Sequence, residues 1–351
     1  LIGAAATASS LLTSCSWSAK SDKKILVSDE KQVNVYSWAD YIDPQVIPEF
    51  EKRYGIRVVY DTFASNEALL AKLQTGASDY DVIVPTSYMI HHLSKLKLIR
   101  PLDHGRLTNL KNISTRFANP PFDPGCRHTV PYTWGTTGIG FNQNAFSRGK
   151  FPDSTDIFWD KKLAGRMTLL DDARETIGMS LKRRGYSYNT TDEHEIRQAF
   201  DDLKLQKPLT MSYTSDQVIV QLASGDSLLS LVFSGDAYQA VRDNKDIRYV
   251  IPAKGTSLWV DNLSITESAP HVDNAYLWLN FLLEPEIAAA NSNYTRYSTP
   301  NEKALSNIEP ELLADKNLYP SDKVLDRCDQ IGDIGSLLFL YDQLWTELKC
   351  S

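Results

Sequence analysis

From residue 32 onward, short strand-like apolar runs alternate with amphipathic stretches of helical period. That alternation predicts an α/β architecture with helices covering a largely parallel sheet. Residues 33–36 read as a strand, 44–54 as a helix ended by Gly55, and 56–60 as the next strand. Ser65 caps a predicted helix through Gln74, and 80–85 is a buried strand whose end opens onto Thr86-Ser87-Tyr88. A second set follows: strand 167–170, helices 172–184 and 192–205, and strands 228–233 and 249–251. Residues 259–265 alternate cleanly and read as a crossing between domains; long helices are predicted over 274–290 and 336–349. Ligands of such sheets bind at the carboxyl ends of the strands.

The 351 residues predict two domains. The chain carries 37 Lys and Arg against 44 Asp and Glu, a formal charge of -7, and lacks the basic runs that track a phosphate backbone, which argues against nucleic acid as a partner. Its 12 Phe, 7 Trp and 17 Tyr supply many aromatic faces beside a surplus of carboxylates, a pairing suited to cationic ligands. Residues 1–14 are apolar, small and uncharged, too short to span a bilayer, and read as the end of a signal peptide. Leu12-Thr13-Ser14-Cys15 resembles a bacterial lipobox, which makes Cys15 the expected lipidated residue, 1–15 a signal remnant and 16–31 a linker; a secretory signal that merely contains Cys15 is the alternative. Either one sends the protein across the cytoplasmic membrane. Cys126, Cys328 and Cys350 lack zinc-ligand spacing, and a Cys328–Cys350 disulfide stays open in an oxidising compartment.

Catalytic motifs are missing from the sequence. Gly135–Gly140 lacks the lysine of a phosphate loop and runs into strand-like Phe141, so it reads as a flexible strand between domains. None of the six His stands in an HExxH context, and adjacent His91 and His92 point to different faces of a solvated helix. Asp172 and Glu175 lie one helical turn apart, the spacing of a hydrolase's carboxylate pair and equally of a capping box. A helix N-terminus favours anions, so both acids are expected to stay ionised, which suits cation binding better than acid catalysis.

Several collinear phrases now carry a resemblance: Tyr36-Ser37-Trp38-Ala39-Asp40-Tyr41-Ile42, Asp81-Val82-Ile83-Val84-Pro85-Thr86-Ser87-Tyr88, Leu170-Asp171-Asp172-Ala173-Arg174-Glu175, Trp259-Val260-Asp261 and Tyr297-Ser298-Thr299-Pro300-Asn301. In this order they resemble the bacterial spermidine/putrescine-binding proteins over nearly all of residues 33–349. The resemblance implies a type II periplasmic-binding-protein fold, in which two α/β lobes joined by crossing strands close over a polyamine and deliver it to the permease of an ABC importer. It implies no catalysis, cofactor or metal, and a monomer. The lobes are expected over 33–136 plus about 262–315, and over 137–261 plus about 316–351.

Carried over position by position, the resemblance places an aromatic box on Trp38, Tyr88, Trp259 and Tyr297 and carboxylates on Asp40, Asp172, Glu175 and Asp261, with Tyr41, Thr86 and Phe233 completing the pocket. Relatives that prefer spermidine have Thr where this chain has Ala39, Glu where it has Asp40, Ser where it has Thr86 and Trp where it has Phe233. A pocket glutamine aligns with either Gln330 or Ile331. Arg174, between the acids, is expected to be a solvated or supporting cation that limits their repulsion. Alternatives are a putrescine-selective receptor, a carboxylate-dependent hydrolase and a ferric-ion binder of the same fold.

Overall fold

The computed structural model describes residues 31–76, 79–147 and 151–350; Cys15 and the linker before residue 31 lie outside them. Local chemistry sets the element ends. The helix Val46–Tyr54 stops at Gly55, which takes a left-handed φ of 64°. Ser65 Oγ accepts the Ala68 amide at 3.1 Å to start the helix Asn66–Gln74. The single helix expected over 274–290 is two, Val272–Leu282 and Pro285–Thr295, because Pro285 carries no amide hydrogen and takes a first-turn position.

The strands are β1 Gln32–Trp38, β2 Arg57–Phe63, β3 Val82–Ile83, β4 Val130–Asn142, β5 Met167–Leu169, β6 Thr210–Tyr213, β7 Leu229–Phe233, β8 Ile247–Val250, β9 Ser257–Ile265 and β10 Asp329–Gln330. They form one sheet in the order β2-β1-β3-β9-β4-β7-β5-β6, with β8 beside β4 and β10 beside β9. The β1, β2 and β3 pairings are parallel, as are those of β5 with β6 and β7. β4 and β9 run antiparallel to each other, so the sheet is mixed and not largely parallel.

Those two long strands join the lobes. β4 pairs with β9 from Val130 to Thr136 and with β7 from Thr137 to Phe141. Gly135–Gly140 therefore lies within a laddered strand, with Ile139 and Gly140 paired on both sides. One core gathers Val33, Phe50, Trp278 and Phe281; a second gathers Ile139, Leu169, Leu231 and Tyr341. In the segment 316–325, Leu318 joins Ala289 and Ile308, Leu325 belongs to the first core, and Val324 packs with Val218 and Leu222. Cys126, Cys328 and Cys350 are free, so the open Cys328–Cys350 pairing is not made. His91 is exposed on its helix, as expected. Among the described residues, no helix is long and apolar enough to cross a membrane.

The helix Ala173–Arg184 touches the ring of Tyr188 at Gly178, where an added Cβ would lie 2.1 Å from the ring. Overpacking of this kind costs about 1–3 kcal/mol, more than the ~1 kcal/mol that alanine gains over glycine in a helix. Gly178→Ala should lower the thermal midpoint; a raised midpoint would show that Tyr188 moves aside freely.

Candidate functional site

Strand β9 supplies one wall of the site. Its alternation puts Ser257, Trp259 and Asp261 on a common face. Tyr41 donates its hydroxyl to Asp261 Oδ2 at 2.5 Å, and Thr86 bridges Asp261 from the end of β3. Asp261 is only 5% exposed, and its Oδ1 has no hydrogen-bond partner among the described residues. The indole Nε1 of Trp259 is likewise buried and unpartnered. Burial pushes the Asp261 carboxyl up to about 6, against the pull of the Thr86 and Tyr41 hydroxyls.

Aromatic rings surround this acid. Trp259 meets Phe233 at 5.7 Å and Tyr297 at 5.3 Å, and Tyr41 meets Tyr297 at 5.2 Å, all edge-to-face. Tyr297 has room because residue 235 is glycine: a Cβ there would stand 2.4 Å from its ring. Tyr297 donates its hydroxyl to Asp236 Oδ1 at 2.5 Å. Asp236 rises to about 7 through burial, with the Tyr297 hydroxyl opposing and the charges of Asp40 and Asp216 adding.

The second group of acids opens the helix Ala173–Arg184. Asp172 Oδ1 accepts the Glu175 amide at 2.9 Å, which is the cap expected from the spacing. Glu175 does not close a capping box; its Oε2 accepts the Ser257 hydroxyl at 2.6 Å instead. Both carboxyls are pushed above the usual range, Asp172 by burial and the charge of Glu67, Glu175 by burial and the charge of Asp172. The helix N-terminus therefore does not keep these pKa values from rising, because loss of water outweighs the dipole. Of the two expectations for Arg174, solvation fails, since it is 2% exposed and donates to the Gly332 carbonyl and to Asn189 Oδ1, both at 3.1 Å; the supporting role holds, since its charge lowers both acids. Asp171, next in sequence, turns away to Lys349 at 2.9 Å.

Tyr88 joins the two groups. Its hydroxyl donates to Glu67 at 3.1 Å and accepts from Asn66, which also donates to the Thr86 hydroxyl at 3.0 Å; the Arg174 guanidinium lies 5.5 Å from the Tyr88 ring centre. Trp38 is half-buried at the end of β1, 4.5 Å from Phe63, with its indole donating to the Val84 carbonyl. Asp40 is the outlier among the expected acids, exposed on a turn with φ 52°. Gln330 lines a groove with Leu258 and Val260, which alternate with Trp259 and Asp261 and so face the reverse of β9; Ile331 packs with Tyr88 and Tyr188.

Sequence reasoning missed Asn66, Glu67, Asp236 and Ser257. Period-two alternation along β9 would have found Ser257, and the strand-end rule applied to β7 would have found Asp236. Asn66 and Glu67 carried no signal beyond standing at a helix start.

Raised carboxyls mean that the folded, unliganded chain holds more protons than the unfolded one between about pH 4 and 7. These groups therefore stabilise the fold at the acid end of that window and lose the contribution as pH rises through their folded values. Thermal midpoints of the unliganded chain should fall from pH 5 to pH 8, and Asp236→Asn should flatten the slope; an unchanged slope would remove Asp236 from this set.

Comparison with known proteins agrees with this geometry. The family model described as bacterial extracellular solute-binding protein matches residues 45–319. The spermidine/putrescine-binding periplasmic protein of Salmonella typhimurium is 34% identical over 92% of either chain. A putrescine-binding periplasmic protein of Pseudomonas aeruginosa is 30% identical over 92% of this chain and 93% of its own. Among solved structures, a spermidine/putrescine ABC transporter substrate-binding protein from Streptococcus pneumoniae superposes with a TM-score of 0.80 at 33% identity, covering 92% of this chain and 99% of its own. A lipoprotein of Treponema pallidum also gives 0.80, at 29% identity, covering 90% of this chain and 99% of its own. With buried acids among aromatic walls at the junction of two α/β lobes, the chain belongs to the bacterial extracellular solute-binding proteins.

Proposed function

We propose that this protein is the polyamine-binding subunit of an ABC importer, taking up spermidine or putrescine outside the cytoplasmic membrane and passing it to a permease without chemical change. The observation that carries this reading is Asp261 Oδ1, a buried carboxylate oxygen without a partner among the described residues, set among Trp259, Tyr41 and Tyr297. A polyamine is an alkyl chain bearing ammonium groups. It requires aromatic faces along its methylenes and acids at its nitrogens, the two kinds of group gathered here. The names of the relatives support the same ligand class.

The energetics favour a closing receptor over a rigid one. A carboxylate–ammonium contact near 4 Å gives roughly 4 kcal/mol at an effective dielectric of about 20, much of it offset by stripping water from both ions. Aromatic walls add about 0.5–2 kcal/mol of cation–π attraction and exclude water. Ligand that bridges the lobes stabilises the closed form by its greater affinity for it. In this reading Asp261, Asp172, Glu175 and Asp236 meet ammonium groups, while Trp38, Tyr88, Phe233, Trp259 and Tyr297 form the walls. Tyr41 and Thr86 orient Asp261, and Asp40 adds charge at the rim. The first lobe spans 33–136 and about 262–325, the second 137–261 and the chain after β10. Anchoring through Cys15 is supported by the lipoprotein relative.

Titration calorimetry of dialysed protein should show saturable 1:1 binding of spermidine or putrescine and none of lysine. Absence of binding to every amine by folded, ligand-free protein would overturn the reading. Asp261→Ala should weaken polyamine binding by about 3–5 kcal/mol, the cost of leaving a buried charge unpaired. Unchanged affinity would remove Asp261 from the site.

A further inference from the structure

We propose that Asn66 is a positioning residue of the polyamine site, a single side-chain amide that makes the Thr86 and Tyr88 hydroxyls both turn their protons toward carboxylates. This rests on the reading of the protein as a polyamine receptor. Asn66 opens the helix Asn66–Gln74, a place where asparagine ordinarily serves as a cap. Ser65 already holds that role, its Oγ accepting the Ala68 amide, so the Asn66 side chain is left for tertiary contacts. It is 3% exposed and meets the chain at the end of β3. There the Thr86 N–H donates to Asn66 Oδ1 at 3.0 Å, while Asn66 Nδ2 donates to Thr86 Oγ1 at 3.0 Å and to the Tyr88 hydroxyl at 3.1 Å.

One bond fixes the donor sense of the whole group. A backbone N–H only donates, so the Asn66 oxygen faces Thr86 N, and the amide nitrogen, which has donors and no acceptor, faces the two hydroxyls. Each hydroxyl therefore accepts on its Asn66 side and keeps its proton for a second partner. For Tyr88 that partner is Glu67 Oε1 at 3.1 Å. For Thr86 it is Asp261, to which Thr86 is bridged through the backbone and whose carboxyl its hydroxyl pulls down against burial. With Asn66 removed, both hydroxyls are free to rotate, and a buried acid loses the donor that favours its charged form, the form an ammonium group meets. Tyr41 and Tyr297 are the other titratable groups against Asp261, with Asp236 behind Tyr297; Asp172, Asp342 and, over the Tyr88 ring, Arg174 are those around Glu67. Asn66, Glu67, Thr86 and Tyr88 lie on neighbouring elements, and β9, which carries Asp261, pairs directly with β3, so the arrangement requires no movement of the lobes.

The test is a double-mutant cycle on the whole chain: Asn66→Ala, then Thr86→Val with Tyr88→Phe, then all three together, each checked for cooperative thermal unfolding. Putrescine is titrated by calorimetry at pH 6, 7 and 8. Asn66→Ala should weaken binding about three- to tenfold at pH 7 and move the rise of affinity with pH to higher pH, because Asp261 has lost the donor that lowers it. In the Thr86→Val, Tyr88→Phe background the same substitution should change affinity by less than about twofold and leave the pH profile in place. Unchanged affinity in Asn66→Ala overturns the proposal, as does a loss of equal size in both backgrounds or one with an unmoved pH profile, which marks a purely structural role. The ligand-free chain gives a second readout: its thermal midpoint should fall more steeply from pH 5 to pH 8 in Asn66→Ala than in the unaltered chain, and an equal slope overturns the proposal. If the unaltered chain binds no amine, the proposed function falls, while that slope still decides whether Asn66 orients the hydroxyls.

Discussion

Carboxyl groups held away from water with only neutral hydrogen-bond donors are the constraint on which the site depends. Asp261 has Tyr41, Asp236 has Tyr297, and Glu175 has Ser257. Hydroxyl groups stabilise a buried anion far less than water does, so each acid is driven toward its protonated form. An arriving ammonium group reverses that balance, because it brings the opposite charge into a place already stripped of solvent. Arg174 gives its hydrogen bonds to Gly332, Tyr188 and Asn189, and its charge only partly offsets the rise of Asp172 and Glu175.

The fold supplies these acids from both sides of a joint. β9 carries Ser257, Trp259 and Asp261 and is laddered to β4, which passes between the lobes. Tyr41, Thr86 and Tyr88 approach from the ends of β1 and β3, and Asp172 and Glu175 approach from a helix that follows β5. Strand carboxyl ends gather loops in one place without demanding sequence proximity, so residues up to 220 positions apart, Tyr41 and Asp261, share a hydrogen bond.

Much of the local structure was legible. Ser65, Gly55 and Asp172 mark element ends through backbone hydrogen bonding, and that chemistry acts over three or four residues. Trp259 and Asp261 were legible as neighbours through strand alternation, and the order of family phrases pointed to the remaining pocket residues. Tertiary burial was not legible. Arg174 could be read as solvated or as a supporting cation; the chain after β10 folds over it, which removes the first reading and leaves the second. The raised pKa values of Asp172 and Glu175 were missed for the same reason: helix position is written locally, whereas burial, and the charge of Glu67 on Asp172, come from residues far away in sequence. The packing of Gln330 and Ile331 follows the register of β10 against β9, which a two-residue strand cannot announce.

The central claim is that a polyamine draws protons off acids whose pKa values burial has raised. Titrating putrescine at pH 7 in two buffers of different ionisation enthalpy measures this directly. The account predicts apparent enthalpies that differ by the release of about one proton per ligand bound, with affinity rising from pH 6 to pH 8. Binding with the same enthalpy in both buffers and an affinity indifferent to pH would contradict it.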